Sequence, residues 1–267
     1  MRISENARSA EDDNAVVEST LDPETHVGTV EFRRGKYNFF NVELLTTLAE
    51  TFERLADEGC RAIVLRSSGR HFCAGANFGS SDPSEPGAAR SPIYDIVPRL
   101  FAQPVPIVAA IGGAAVGGGL GLALVADFRV ASPEARFAAN FAKLGISQGF
   151  ALSLSLPRLI GVQRTSELLF TGRNVHAEEA LKVGLCDRLV EKDILNHEAN
   201  AFAQEIASSA PLAVAAIRKM LRGSIAADVT KTLQAEWADQ TSLKLTADFG
   251  EGVSASKEKR SPVFHGQ

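Results

Sequence analysis

The sequence contains no run of about 18 uncharged apolar residues, the length a membrane-spanning helix needs. Its most apolar stretch, Val105 to Val125, is interrupted by a cluster of glycines, so no membrane span is expected. Cysteine is also scarce. Cys60, Cys73 and Cys186 form an odd, scattered set without a Cys-x-x-Cys pair, which argues against a disulfide framework and against a zinc or other metal site. A reducing compartment, the cytoplasm, is the expected location. There is no basic excess either: 28 Lys and Arg face 32 Asp and Glu, a formal charge of -4 with a pI near 5.8, so nucleic acid is not an expected partner. The first 25 residues, MRISENARSAEDDNAVVESTLDPET, are acidic and polar without the apolar stretch of a secretory signal and read as a disordered leader.

What the chain does have is enough apolar content, 45% of 267 residues, for one sizeable core. HVGTVEF (His26 to Phe32) has strand patterning, and Leu44, Leu45, Leu48, Ala49, Phe52, Leu55 and Ala56 keep helical spacing ahead of a stop at Gly59. CRAIVLR (Cys60 to Arg66) and PIVAAI (Pro106 to Ile111) are short strands with apolar centres. Strand, helix, strand order implies a parallel α/β layer. The Ser-, Pro- and Gly-rich segment Gly79 to Pro92 reads as a flexible loop beside a binding site. After Leu152 the pattern is helical, interrupted by strand-like CDRLVEK (Cys186 to Lys192). The expected layout is an α/β core over residues 26 to 190 and a helical region over 191 to 267. No repeat of solenoid period and no low-complexity tract is present.

The most informative segment is IGGAAVGGGLGLALVAD (Ile111 to Asp127). Glycines 117, 118, 119 and 121 follow a predicted strand and precede a helix-compatible run, which exposes backbone N–H groups at a helix N-terminus, a geometry suited to negative charge. It contains no G-x-G-x-x-G, and no acidic residue follows a second strand at the dinucleotide-binding position; no Gly-Lys-Ser/Thr follows either, so a P-loop is excluded. Some forty residues earlier, RHFCAGANF (Arg70 to Phe78) places Ala74, Gly75 and Ala76 just after another strand, where small residues let backbone approach a ligand. Two such turns after parallel strands are able to face one pocket.

These segments resemble the crotonase superfamily, the enoyl-CoA hydratase/isomerase group. KYNFFNVELLTTL (Lys36 to Leu48), HFCAGANF, PIVAAIGGAAVGGGLGLALVADFRVAS (Pro106 to Ser132) and the closing Glu251, Gly252, Val253, Ala255, Glu258, Lys259, Arg260, Pro262 and Phe264 are similar to its motifs and stand in family order. The resemblance implies an α/β fold, a spiral of ββα repeats with a C-terminal helical trimerisation region, and self-association as a trimer or hexamer. It implies an acyl-CoA substrate, with coenzyme A entering as part of that substrate and no other cofactor. By position, the N–H groups of Ala76 and Gly118 would form an oxyanion hole. Lys36, Tyr37, Asn38, Ala74, Gly75, Gly117, Gly119 and Phe141 would contribute to substrate binding, whereas Arg33 and Arg34 read as solvated surface charge, with contact to the nucleotide phosphates as the alternative.

The chain departs from the family's acid/base pattern. A hydratase of this kind uses two glutamates, and their places fall on Gly121 and Phe141; the aspartate of related isomerases falls on Gly149. Tyr94, Asp95 and Ser147 are the polar candidates nearby, Ser147 with Gln148 as a water-orienting pair. His71 beside the first turn reads as a surface or supporting residue, and Asp127 as a structural ion-pair partner, with Arg129 the expected counterpart. A serine peptidase on the same kind of fold is disfavoured because no serine has a placed histidine partner. Two readings follow: an enzyme of isomerase or decarboxylase type that stabilises a thioester enolate, or a catalytically silent CoA-thioester binder or assembly subunit.

Overall fold

The structure, a computed structural model, describes residues 14–77 and 91–267. The proposed loop of residues 79–92 and the first half of the expected leader therefore lie largely outside the described residues. The second half of that leader is not disordered. Strand β1 (Val16–Leu21) pairs antiparallel with β2 (Val27–Arg33), closed by a turn in which Asp22 Oδ1 accepts the N–H groups of Glu24 and Thr25. The alternation VVESTL is short and half polar, as an edge strand exposed on one side should be, and its signal was masked by the acidic residues around it.

Helix α1 (Val42–Asp57) follows. Its Asn41 N-cap accepts the Leu44 N–H, which satisfies one of the otherwise unpaired first-turn donors and is worth about 1 kcal/mol. Then come β3 (Ala62–Ser67), α2 (Pro92–Phe101), β4 (Ile107–Ile111), β5 (Ala114–Val116), α3 (Gly118–Val125), β6 (Phe128–Ala131) and β7 (Arg136–Ala138). A 3-10 turn at Asn140–Leu144 leads to α4 (Leu152–Ile160), α5 (Val162–Thr171), β8 (Asn174–His176), α6 (Ala177–Val183) and β9 (Arg188–Leu189). The strand expected over Cys186 to Lys192 is thus two residues long. Three helices finish the chain: α7 (Leu195–Ala207), α8 (Pro211–Leu243) and α9 (Ala247–Glu258).

Six strands form one sheet in the order β1-β2-β3-β4-β6-β9, all pairs beyond the first being parallel; β5, β7 and β8 form a second. Both faces of the central strands are covered, so β3 and β4 read as continuous apolar runs. Their side chains alternate between two cores. Ile63, Leu65, Ile107 and Ala109 face α1, α2 and α3, whereas Ala62, Val64, Val108 and Ala110 pack on Leu195, Ala199, Ala203 and Ala207 of α7. The small residues on α7 let it lie close to the sheet.

The long helix α8 is tied to the core by ions. Arg218 Nε lies 3.0 Å and Arg222 Nη1 3.4 Å from the Asp127 carboxylate, and Arg222 also donates to the carbonyls of Leu124, Val125 and Ala126 at the end of α3. The expected Asp127–Arg129 pair does not form: Arg129 is buried and pairs with Asp187 at 3.1 Å. Among the described residues, no helix is long and apolar enough to cross a membrane.

Candidate active site

The two small-residue turns meet because the chain before each is held in parallel. Cys73 donates to Ala114 O and accepts from Val116 N, a bridge between Cys73 and Ala115. Both chains then leave the same edge. Gly75 (φ +86°) and Gly117 (φ +56°) take up left-handed conformations to make the turns. A Cβ on Gly75 would lie 2.8 Å from Val116 O and 3.2 Å from Gly118 N, so only glycine permits this approach. The Gly118 N–H stands first in α3 and has no partner inside the helix. Ala76 bridges Phe40, with the Phe40 N–H donating to Gly75 O, a parallel pattern that turns the Ala76 N–H away from the ladder.

These groups border a cavity of about 390 Å³, which Ala74, Gly75, Ala76, Gly117, Gly118, Phe141, Gly149 and Tyr94 all line. Of the residues singled out in the sequence, these are brought together. Others are not. Asn38 is buried, and its side chain is consumed within its own loop: Oδ1 accepts the Arg34 N–H and Nδ2 donates to Ser68 O and His71 O. Lys36 sits over the Tyr37 ring, which packs on His71 and Phe39; neither lines the cavity. Gly119 is a packing glycine, because a Cβ there would fall 2.0 Å from Cys73 O. Asp95 is exposed on the outer side of α2. Ser147 contributes its carbonyl to Gln240 Nε2 at 2.9 Å, while its hydroxyl is buried without a partner.

At Gly121 and Gly149, two of the positions where the family resemblance places carboxylates, other side chains take up the space. A Cβ at Gly121 would come within 2.6 Å of the Phe150 Cβ, and one at Gly149 within 2.6 Å of the Tyr94 hydroxyl oxygen. Phe150 itself is held in a left-handed conformation, as is Ala151 (φ +60° and +56°). Glu236 from α8 fixes them: its carboxylate accepts the N–H of Ala151 at 2.8 Å and of Ser153 at 3.1 Å, acting as a side-chain cap for α4 delivered from 85 residues away. Burial raises the Glu236 carboxyl to about 7, against the opposing pull of its hydrogen bonds from Ser153 and Ala151.

The Tyr94 hydroxyl donates to Gln240 Oε1 at 3.1 Å, and its ring meets Trp237 edge-on at 5.6 Å. Burial first, and the nearby Glu236 charge second, push the phenol well above its usual range, so it is a hydrogen-bond donor and not a base. Cys73 behind the turns is pushed up to about 12 by burial and is no nucleophile. Trp237 and Gln240 on α8 and Lys244 just after it, with Val253, Ser256 and Lys257 on α9, complete the wall beside Phe39, Phe40 and Phe150. Trp237, Gln240 and Lys244 stand in no motif singled out in the sequence.

The family model described as enoyl-CoA hydratase/isomerase matches residues 22–267. The chain belongs to the enoyl-CoA hydratase/isomerase family. It is 36% identical over 247 residues, 87% of this chain and 86% of the other, to the Mycobacterium tuberculosis protein named probable enoyl-CoA hydratase EchA12. It is 35% identical over 258 residues to the (E)-benzylidenesuccinyl-CoA hydratase of Thauera aromatica, covering 92% of this chain and 98% of that one. The crystal structure of an enoyl-CoA hydratase/isomerase from Pseudoalteromonas atlantica superposes with a TM-score of 0.81 at 31% identity, over 93% of this chain and 99% of that one. The architecture is therefore the crotonase fold. As a member of the enoyl-CoA hydratase/isomerase family, the protein is an enzyme of the class that acts on acyl-CoA, with its C-terminal helices α8 and α9 closing the cavity.

Proposed function

We propose that the protein binds an acyl-CoA thioester with its carbonyl oxygen between the N–H groups of Ala76 and Gly118 and stabilises the enolate that forms there, in an isomerase- or decarboxylase-like reaction. The observation that carries this reading is the juncture of two turns of small residues, Ala74 to Ala76 and Gly117 to Gly118, at one cavity. As an enolate forms, negative charge grows on the carbonyl oxygen. Fixed donors meet that charge without reorganising, and losing one such donor typically costs about 10² to 10³ in rate. No resident cofactor is called for.

A two-glutamate hydratase is the less supported outcome, although both named relatives are called hydratases. The cavity-lining residues among those described include no carboxylate and no imidazole, so none of them is a carboxylate or imidazole base for activating water. Phe141 and Phe150 keep the same wall apolar, which suits loss of CO₂ from a malonyl-type thioester, where the departing group leaves the electron pair that becomes the enolate. Tyr94 is the hydroxyl placed to donate to the reacting group or to a departing carboxylate. Ser147 and Asp95 hold no such position. The silent CoA-thioester binder remains the second reading, favoured by the same lack of acids and bases. Assembly as a trimer or hexamer and a cytoplasmic location belong to this proposal as family expectations.

Incubation with crotonyl, 3-enoyl, 2,4-dienoyl and methylmalonyl thioesters, with exchange of the α-hydrogen followed by NMR in D₂O, separates the readings. Gly118→Pro removes the donor, and Gly118→Ala introduces the same clash with the Phe40 ring while keeping it. Exchange or turnover that is lost in Gly118→Pro and retained in Gly118→Ala supports the assignment. Equal activity in the two variants refutes it, and the absence of exchange with every thioester leaves the silent binder.

A further inference from the structure

The cavity has a charge asymmetry that its chemistry does not use. Lys244 and Lys257 line it, and no Asp, Glu or His does so among the described residues. Lys244 is half-buried. Its ammonium lies 4.8 Å from the centre of the Trp237 ring, and no described carboxylate pairs with it. A ring face offers an ammonium about 0.5 to 2 kcal/mol, a partial replacement for the hydration lost on burial. Burial alone lowers the Lys244 pKa, with no opposing charge to restore it.

Contacts along the cavity wall separate Lys244 from Gly118. Phe150 packs beside Gly118; next, the Tyr94 hydroxyl occupies the space over Gly149; Trp237 packs edge-on against Tyr94; the Lys244 ammonium lies over the Trp237 ring. A ligand whose thioester carbonyl sits at Ala76 and Gly118 would carry its acyl chain along Phe141 and Phe150 toward this cation.

We propose that this end of the cavity is an anion site in which Lys244, with Lys257 at its rim, receives a carboxylate carried by the acyl chain, making the substrate the mono-CoA thioester of a dicarboxylic acid. The inference rests on the acyl-CoA reading above. A carboxylate on Lys244 forms a charge-assisted hydrogen bond in a partly water-excluded site and supplies the counter-charge that no described residue provides. Tyr94 and Gln240 stand beside the path as neutral polar groups, able to orient the acyl chain without competing for the cation.

Isothermal titration of the full-length protein with butanedioyl-, pentanedioyl- and hexanedioyl-CoA against butanoyl-, pentanoyl- and hexanoyl-CoA tests this. At least one diacid thioester is expected to bind about tenfold or more tightly than its methyl-ended counterpart. In Lys244→Met that ratio falls toward one; Lys244→Arg keeps part of it. Thermal melting of each variant establishes that it is folded, and Lys257→Met gives a second, independent reading from an exposed position. A wild-type ratio near one overturns the proposal. So does a Lys244→Met variant that weakens diacid thioester, neutral thioester and free coenzyme A by the same factor, because the lysine would then serve the coenzyme phosphates. If no CoA thioester binds at all, it is the acyl-CoA reading that fails, and the anion site falls with it.

Discussion

Phe150 occupies the space that a side chain at position 121 would need: a Cβ on Gly121 would sit 2.6 Å from the Phe150 Cβ and equally close to its ring. The packing around Gly121 therefore leaves no room for the carboxylate that the family resemblance places there.

Gly121→Glu is expected to lower stability by about 1–3 kcal/mol through overpacking, more where the carboxylate stays charged, and to produce no hydration of crotonyl-CoA. In the double variant Gly121→Glu, Phe150→Ala the steric conflict is relieved. Thermal melting and loss of the enoyl chromophore measure the two effects, and a stable, hydrating single variant would show that the wall is more yielding than its geometry indicates.

Tyr94→Phe removes the donor to Gln240 Oε1 and leaves that buried acceptor unpaired, at a cost of about 1–3 kcal/mol. Because burial and the Glu236 charge hold the phenol above its usual range, the activity of the unaltered protein should show no break from this group below about pH 10. A pH–rate profile of the two proteins checks both statements; a basic limb near neutrality that disappears in Tyr94→Phe would mean that Tyr94 acts as a base.

Glu236 makes stability pH-dependent. Its carboxyl titrates at about 7 in the folded protein against a reference of 4.5, so between those values the folded state holds more proton than the unfolded one. The contribution of this group to stability is greatest below about 4.5 and is lost as pH rises through about 7. Glu236→Gln lacks that dependence and keeps one acceptor for the α4 cap. The difference in melting temperature between the two proteins should therefore shift in favour of Glu236→Gln from about pH 5 to about pH 8; a difference that does not change with pH would mean that Glu236 is not titrating there.

The small-residue turns that border the cavity were legible because they make backbone geometry, and such geometry has a local signature. Ala74 to Ala76 and Gly117 to Gly118 follow strands, are small, and precede turns or a helix start, and each property is written within a few adjacent residues. Lys36 to Asn38 carry an equally clear motif, yet the Asn38 side chain is consumed in holding its own loop to Ser68 and His71. The motif there reports loop geometry, which sequence alone does not distinguish from ligand contact. Asp95 and Tyr94 differ by one residue, and the helical turn of α2 sends one outward and the other into the cavity.

By itself the sequence determined the parallel α/β core, the two glycine-containing turns and the family, since strand alternation, helical spacing and positive-φ turns are properties of neighbouring residues. Only the tertiary structure decided what takes up the space at Gly121 and Gly149 and what closes the cavity. Phe150 stands 29 residues from Gly121, and Gln240 lies 146 from Tyr94; Glu236 reaches 85 residues back to Ala151. Those pairings depend on how α8 crosses the core, and its crossing is fixed by Asp127 with Arg218 and Arg222, contacts between distant segments that carry no mark in the local sequence of either partner.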